Sequence, residues 1–138
     1  MVYAASSLAL CVLESFVHFS STLLPADYVS IPIDIPDTLA AETWTAGILP
    51  PGWGQTPAPS ALQEMGRQWV VSGRTAVLRV PSAVVALEFN VLLNPAHPDA
   101  AQVRAGTPEP FVFDPRLAKT APKAPRPLRA AARDKRRA

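Results

Sequence analysis

With 138 residues, 49% of them hydrophobic and 17% charged, the chain has room for one domain with a buried core and is too apolar to be wholly disordered. Its 16 prolines, more than twice the usual share of about 5%, exclude a bundle of long helices and favour short elements joined by stiff loops. The net charge of +2 is uneven: residues 117–138 hold eight Lys/Arg against one Asp, so the body before them is acidic and any case for nucleic-acid binding rests on the tail alone.

Met1 to Ala4 reads as the end of a strand feeding a helix. Ser6 and Ser7 are its N-caps, and the helix runs to about Phe19. It is apolar nearly all round, which predicts that it is buried. Glu14 and His18 interrupt the apolar run from Val2 to Leu24, and no basic residue precedes it, so it reads as neither a signal peptide nor a membrane span. Tyr28 to Ile35 alternates as a half-buried strand, with Pro32 making it an edge or bulged one. Asp37 is placed to cap a short helix through Trp44, and Pro50 to Gly54 forms a rigid turn. A second helix from Pro57–Ser60 to about Val71 buries Leu62, Met65, Trp69 and Val70, and Ser72-Gly73 ends it. A strand over Thr75–Val80 breaks at Pro81-Ser82. An apolar segment, Val84–Leu93, closes at Asn94-Pro95. A turn of helix around Pro98–Gln102 and a last strand, Phe111–Phe113, complete the body. Strands and helices do not strictly alternate, so the class is α+β. From Leu117 onward Lys, Arg, Ala and Pro dominate, the composition of a disordered basic tail.

Few residues carry chemistry. Glu14 is the only acid before Pro25, set in a helix expected to be interior, where a carboxylate without a partner costs several kcal/mol. His18, four residues on, shares its face and can pair with it; the bland reading is a partly exposed Glu–His pair. Ser82 after Val-Pro reads as a turn residue whose hydroxyl holds nearby backbone, and no Gly-x-Ser-x-Gly elbow surrounds it. Asn90, inside an apolar strand, needs hydrogen-bond partners of its own. His97 and Asp99 lack further ligands nearby, so no metal is expected. No phosphate-binding glycine loop is present. The lone Cys11 excludes an internal disulfide and points to the reducing cytosol.

Three stretches resemble the RES domain family: Val2-Tyr3-Ala4-Ala5-Ser6-Ser7-Leu8-Ala9-Leu10 on to Glu14, Leu78-Arg79-Val80-Pro81-Ser82-Ala83-Val84-Val85, and Glu88 to Pro98. Phe111 to Leu117 is similar to that family's closing segment. Leu49-Pro50-Pro51-Gly52-Trp53 and Gly66-Arg67-Gln68-Trp69 fall where its internal motifs belong.

The resemblance implies a toxin of a bacterial toxin–antitoxin pair with an ADP-ribosyltransferase-like fold: a mixed, partly open sheet with short helices. It implies depletion of NAD+ at the nicotinamide–ribose bond, by hydrolysis or phosphorolysis, with NAD+ as substrate and no cofactor or metal. Carried over residue by residue, the family's glutamate is Glu14 and its serine Ser82, both catalytic. Tyr3 matches an aromatic position lining the NAD pocket, and Asn90 joins it as substrate-binding. The family's arginine belongs to a Gly-Gly-Arg-Trp-like segment upstream of Val2-Tyr3, and no body arginine occupies a matching position. Residues 1–116 are thus expected to be a RES domain lacking its N-terminal part, with 117–138 as the tail. The expected partner is an antitoxin with a Cro/repressor-like DNA-binding domain, nucleic acid being met only through it, and the expected location is cytoplasmic, away from membranes. The alternative is a non-catalytic remnant that at most binds an antitoxin; a further reading is nucleic-acid binding through the tail, which lacks interleaved aromatics for stacking.

Overall fold

The computed structural model describes residues 1–19 and 26–117. The expectation of a disordered tail falls, beyond Leu117, outside the described residues. The fold is α+β. A mixed four-stranded sheet is built from β1 (Val2–Ala5), β4 (Ala41–Thr43), β5 (Val77–Pro81) and β6 (Phe89–Leu93) in the order β1-β6-β5-β4. The β1–β6 and β6–β5 pairs are antiparallel and β5–β4 is parallel. Two ribbons lie beside it: β2 (Tyr28–Ser30) pairs with β8 (Glu109–Phe111), and β3 (Ile33–Asp34) with β7 (Arg104–Ala105).

The register assigns the faces. Tyr3 lies opposite Leu92 and Ala5 opposite Asn90, while Asn90 faces Val80 and Leu92 faces Leu78 on the other side. These residues therefore share one face of the sheet. Against that face packs α2 (Ser60–Ser72), with Trp44, Trp69, Leu78 and Leu92 buried together. The opposite face carries Val77 and Leu93, which pack with Leu39 and Ala76.

Helix α2 starts after Pro59 and ends at Gly73, whose left-handed φ of 57° closes the helix at little cost because glycine has no Cβ. Trp69 is fully buried and its indole N–H donates to Thr75 Oγ1 at 3.1 Å. Asn94 locks this helix to the sheet. Its Nδ2 donates to Val70 O (3.1 Å), its Oδ1 accepts from Ala96 N (3.2 Å) and its backbone N–H reaches Ala76 O (2.9 Å). The Asn94-Pro95 turn is thus also a cross-link between elements.

Several expectations are corrected. No helix runs from Asp37 to Trp44: Ala41–Thr43 is β4, drawn into parallel pairing with β5, and Trp44 N–H continues it by donating to Arg79 O at 2.8 Å. Tyr28–Ile35 is two strands rather than one, split at Ile31-Pro32, because each half pairs with a different partner. The last strand is Glu109–Phe111, and Phe113 instead meets Phe19, Tyr28 and Phe111 edge to face, with Phe16 packed in the same way against Phe19. Helix α1 (Leu8–Phe16) is shorter than expected and not interior. Leu10 alone is buried and Leu8 is 54% exposed, because the helix lies at the β1 edge, where the described residues cover it on one side.

Glu42 on β4 accepts from Trp44 Nε1 at 2.7 Å and is clasped by both ends of the Arg74 guanidinium at 3.0 and 3.1 Å. The Arg74 hydrogen bonds hold its carboxyl below the ordinary 4.5. Replacing Asn94 by Ala is expected to cost about 1–3 kcal/mol in urea denaturation, since it leaves buried backbone groups unpaired. Because the folded Glu42 binds its proton later than the unfolded chain does, its ion pair stabilises above about 4.5 and that stabilisation fades as pH falls through the lowered folded value. Thermal melts of wild type and Arg74→Leu are therefore expected to differ at neutral pH and to converge in acid.

Candidate active site

The geometry starts at the N-terminus. β1 carries Tyr3 on the α2 face of the sheet, Ser6-Ser7 turns the chain, and Ser7 Oγ caps α1 by accepting from Leu10 N–H at 3.1 Å. Ser7 Oγ also donates to Glu88 Oε2 at 3.3 Å, tying the cap to the loop before β6. One and a half turns along α1, Glu14 points back over the sheet.

There its Oε1 accepts two hydrogen bonds, from Ser82 Oγ at 2.7 Å and from Asn90 Nδ2 at 2.5 Å. Asn90 Nδ2 also donates to the Tyr3 hydroxyl. Four residues from three stretches of chain thus meet: Tyr3, Glu14, Ser82 and Asn90. Both hydrogen bonds to Glu14 converge on Oε1, and Oε2 receives none from the described residues.

Ser82 is 0% exposed. Its Oγ accepts from the backbone N–H groups of Val84 (3.0 Å) and Val85 (2.9 Å), and its own N–H donates to Glu88 O at 2.9 Å. With both acceptor positions taken, the hydroxyl proton is directed at Glu14. The residue is at once the turn residue read from sequence and the anchor of the acid. Asn90 is 1% exposed, and its Oδ1 is buried without a partner among the described residues.

Tyr3 as a residue is 56% exposed, yet its hydroxyl sits against Asn90. Burial of the phenol, reinforced by the negative charges of Glu14 and Cys11, pushes it up to about 12. The phenol is consequently protonated at any physiological pH.

Other candidates stay apart. His18 is exposed and makes no ion pair with Glu14. His97 Nδ1 accepts from Asp99 N at 3.1 Å and caps the 3-10 turn at Pro98–Gln102, and among the described residues no cluster of three metal-ligating side chains forms. Arg67, Arg74 and Arg116 are paired with Glu64, Glu42 and Asp114. Arg79 lies across from Val91, on the face away from Asn90. A cleft of about 500 Å³ opens on that other face, lined by Ala4, Cys11, Val12, Ile33, Val91 and Phe111 among others, and none of the four clustered residues borders it. Sequence reasoning missed the Ser7–Glu88 link, whereas the backbone groups held by the Ser82 hydroxyl are those the Val-Pro-Ser turn leads one to expect.

An acid held by a turn serine and a strand asparagine beside a tyrosine, on a mixed α+β sheet, defines a class of domain rather than an isolated cluster. Residues 1–114 match the family model described as RES domain, and the chain belongs to that family. It is 45% identical over 123 residues to a protein of Sphingobium sp. (strain YBL2) named "Prs ADP-ribosylating toxin", covering 88% of this chain and 76% of that one. It is 34% identical over 121 residues to "Toxin Res" of Yersinia enterocolitica, covering 84% and 76%. A third relative, "Toxin Res" of Pseudomonas putida, is 32% identical over 121 residues, covering 85% and 79%.

The Tyr3 environment is directly measurable. In Tyr28→Phe protein, phenolate absorbance is expected to report Tyr3 ionising near 12, and Glu14→Gln is expected to lower that value toward the ordinary 10. An unchanged value in Glu14→Gln would leave burial as the cause and separate Tyr3 from the carboxylate.

Proposed function

We propose that this RES domain acts as a toxin that breaks the nicotinamide–ribose bond of NAD+, with Glu14 as the catalytic acid residue at the sugar. The observation that carries the reading is the Glu14 carboxylate, fixed through Oε1 by Ser82 and Asn90 with Oε2 left to face a ligand. As nicotinamide departs, the ribose gains oxocarbenium character, and a carboxylate already oriented toward it stabilises that charge without reorganising. Tyr3, neutral and half exposed, supplies a hydrogen-bond donor at the same mouth. Ser82, sealed and fully hydrogen-bonded, acts through Glu14 as a positioning residue.

The ribosyl cation is captured by water or by phosphate. A second reading has support of its own, since the Sphingobium relative is named for ADP-ribosylation: a protein side chain captures the same ADP-ribosyl group. The family resemblance adds an arginine whose planar fork fixes the pyrophosphate or carboxamide. No arginine among the described residues hydrogen-bonds the cluster, so the reading includes impaired turnover by these 138 residues alone. Cytoplasmic action and control by an antitoxin with a Cro/repressor-like DNA-binding domain complete the proposal, consistent with relatives named as toxins and with the lack, among the described residues, of any helix long and apolar enough to cross a membrane.

The test is loss of NAD+ from the purified chain, with and without an added N-terminal Gly-Gly-Arg-Trp-like segment. NAD+ loss is expected to be faster with the segment, and Glu14→Gln is expected to lower it by about 10²–10³-fold, the usual effect of removing one preorganised electrostatic contact. Labelling of protein instead of release of free ADP-ribose would favour transfer. No NAD+ loss from either form would favour the non-catalytic remnant.

A further inference from the structure

We infer that Asn90 is a positioning residue that, by committing both its N–H groups to Glu14 and Tyr3, turns the Tyr3 hydroxyl proton outward, toward a hydrogen-bond acceptor on the substrate. The role rests on the NAD+-cleaving reading for its substrate, though not for its geometry.

The argument is one of donors and acceptors. An amide can present either Nδ2 or Oδ1 to a neighbour, and a carboxylate accepts only. With Glu14 Oε1 at 2.5 Å, Asn90 presents Nδ2. Each of the two hydrogens on Nδ2 then has a destination, one at Glu14 Oε1 and the other at Tyr3 Oη. Tyr3 is therefore the acceptor in its pair with Asn90, and its own proton cannot point back at the amide. The path runs one way, from the backbone N–H groups of Val84 and Val85 to Ser82 Oγ, from Ser82 to Glu14 Oε1, and from Asn90 both to Glu14 and to Tyr3.

The cost of this arrangement is visible in the fold. Asn90 Oδ1 is buried with no partner among the described residues, an uncommon state for an amide oxygen in an interior. Flipping the amide would aim Oδ1 at the Glu14 carboxylate, oxygen against oxygen. The unpaired oxygen is the consequence of committing both N–H groups to the site. A hydrophobic residue at this strand position would pack without that cost, so the amide is there for direction rather than for packing.

A substrate group at Tyr3 then meets a donor: a ribose hydroxyl oxygen, a carboxamide oxygen or a phosphate oxygen each fits, and a purely cationic or donor group does not. Asn90 itself, 1% exposed behind Tyr3 and Glu14, touches no ligand.

Two readouts test this. The first needs no activity. In Tyr28→Phe protein carrying isotope-labelled tyrosine, the infrared C–O stretch of the Tyr3 phenol reports whether its oxygen accepts a hydrogen bond. It is expected to shift in Asn90→Leu and not in Ser82→Ala, and an unchanged band in Asn90→Leu overturns the inference. The second is a double-mutant cycle on NAD+ cleavage by the N-terminally extended chain, each variant first checked for an unaltered fold by circular dichroism. Asn90→Leu and Tyr3→Phe are each expected to lower kcat by roughly 10- to 100-fold, and the double variant by little more than the worse single one. Fully multiplicative losses would mean that Asn90 does not act through Tyr3. If the extended wild-type chain cleaves no NAD+, the functional reading fails while the infrared band still decides the positioning of Tyr3.

Discussion

Everything in the site hangs on one oxygen. Glu14 Oε1 receives donors from residues 68 and 76 positions away in the chain, and through Asn90 it is joined to Tyr3, 87 positions from that asparagine. A half-buried carboxylate without such donors would lose part of its hydration with nothing in return, a cost of several kcal/mol. With them, the same group fastens α1 to the ends of β5 and β6. The acid is thus both a structural tie and a chemically presented group, and the two roles use different oxygens. Oε1 faces inward to the sheet, and Oε2 is left without a partner among the described residues.

Ser82 shows how little sequence such a site requires. Pro81 ends β5, Ser82 turns the chain, and the same hydroxyl that gathers Val84 and Val85 donates a hydrogen bond to Glu14. The turn and the acid cannot be tuned separately. Asn90 plays the matching part on the neighbouring strand, where the register places it beside Val80 and across from Ala5.

What the sequence disclosed, and what it hid, divides along the range of the interactions involved. Helix α2 was legible because its pattern is local: Leu62, Met65 and Trp69 repeat at helical spacing and Gly73 stops the chain. The strand ending at Pro81 and the apolar run to Leu93 were legible for the same reason. Segment 37–44 was not, because its strand character comes from β5, more than thirty residues away, and pairing of that kind overrides local propensity. Likewise Tyr28–Ile35 alternates continuously, and only its two distant partners reveal that it is split. The buried-helix expectation for α1 failed because composition records how apolar a helix is and not how many neighbours surround it. Of the site, Glu14 and Ser82 stood out as an acid in an oily helix and a serine after Val-Pro. Their meeting, and the one-way order of the hydrogen bonds, are properties of the fold alone.

That order constrains the chemistry. Ser82 has its oxygen held by two backbone N–H groups and donates its proton in a hydrogen bond to Glu14, an arrangement that fixes the acid in place. Neither histidine among the described residues hydrogen-bonds the cluster, so no imidazole stands ready as a base beside it. Tyr3 is pushed up to about 12 and remains a phenol. The four residues together present one free carboxylate oxygen and one phenolic hydroxyl from a fixed hydrogen-bonded frame. On the NAD+-cleaving reading proposed above, such a frame opposes the positive charge that grows on the sugar as the leaving group departs. On the same reading, water, phosphate and a protein side chain are alternative acceptors, decided by which of them is admitted at the mouth of the site.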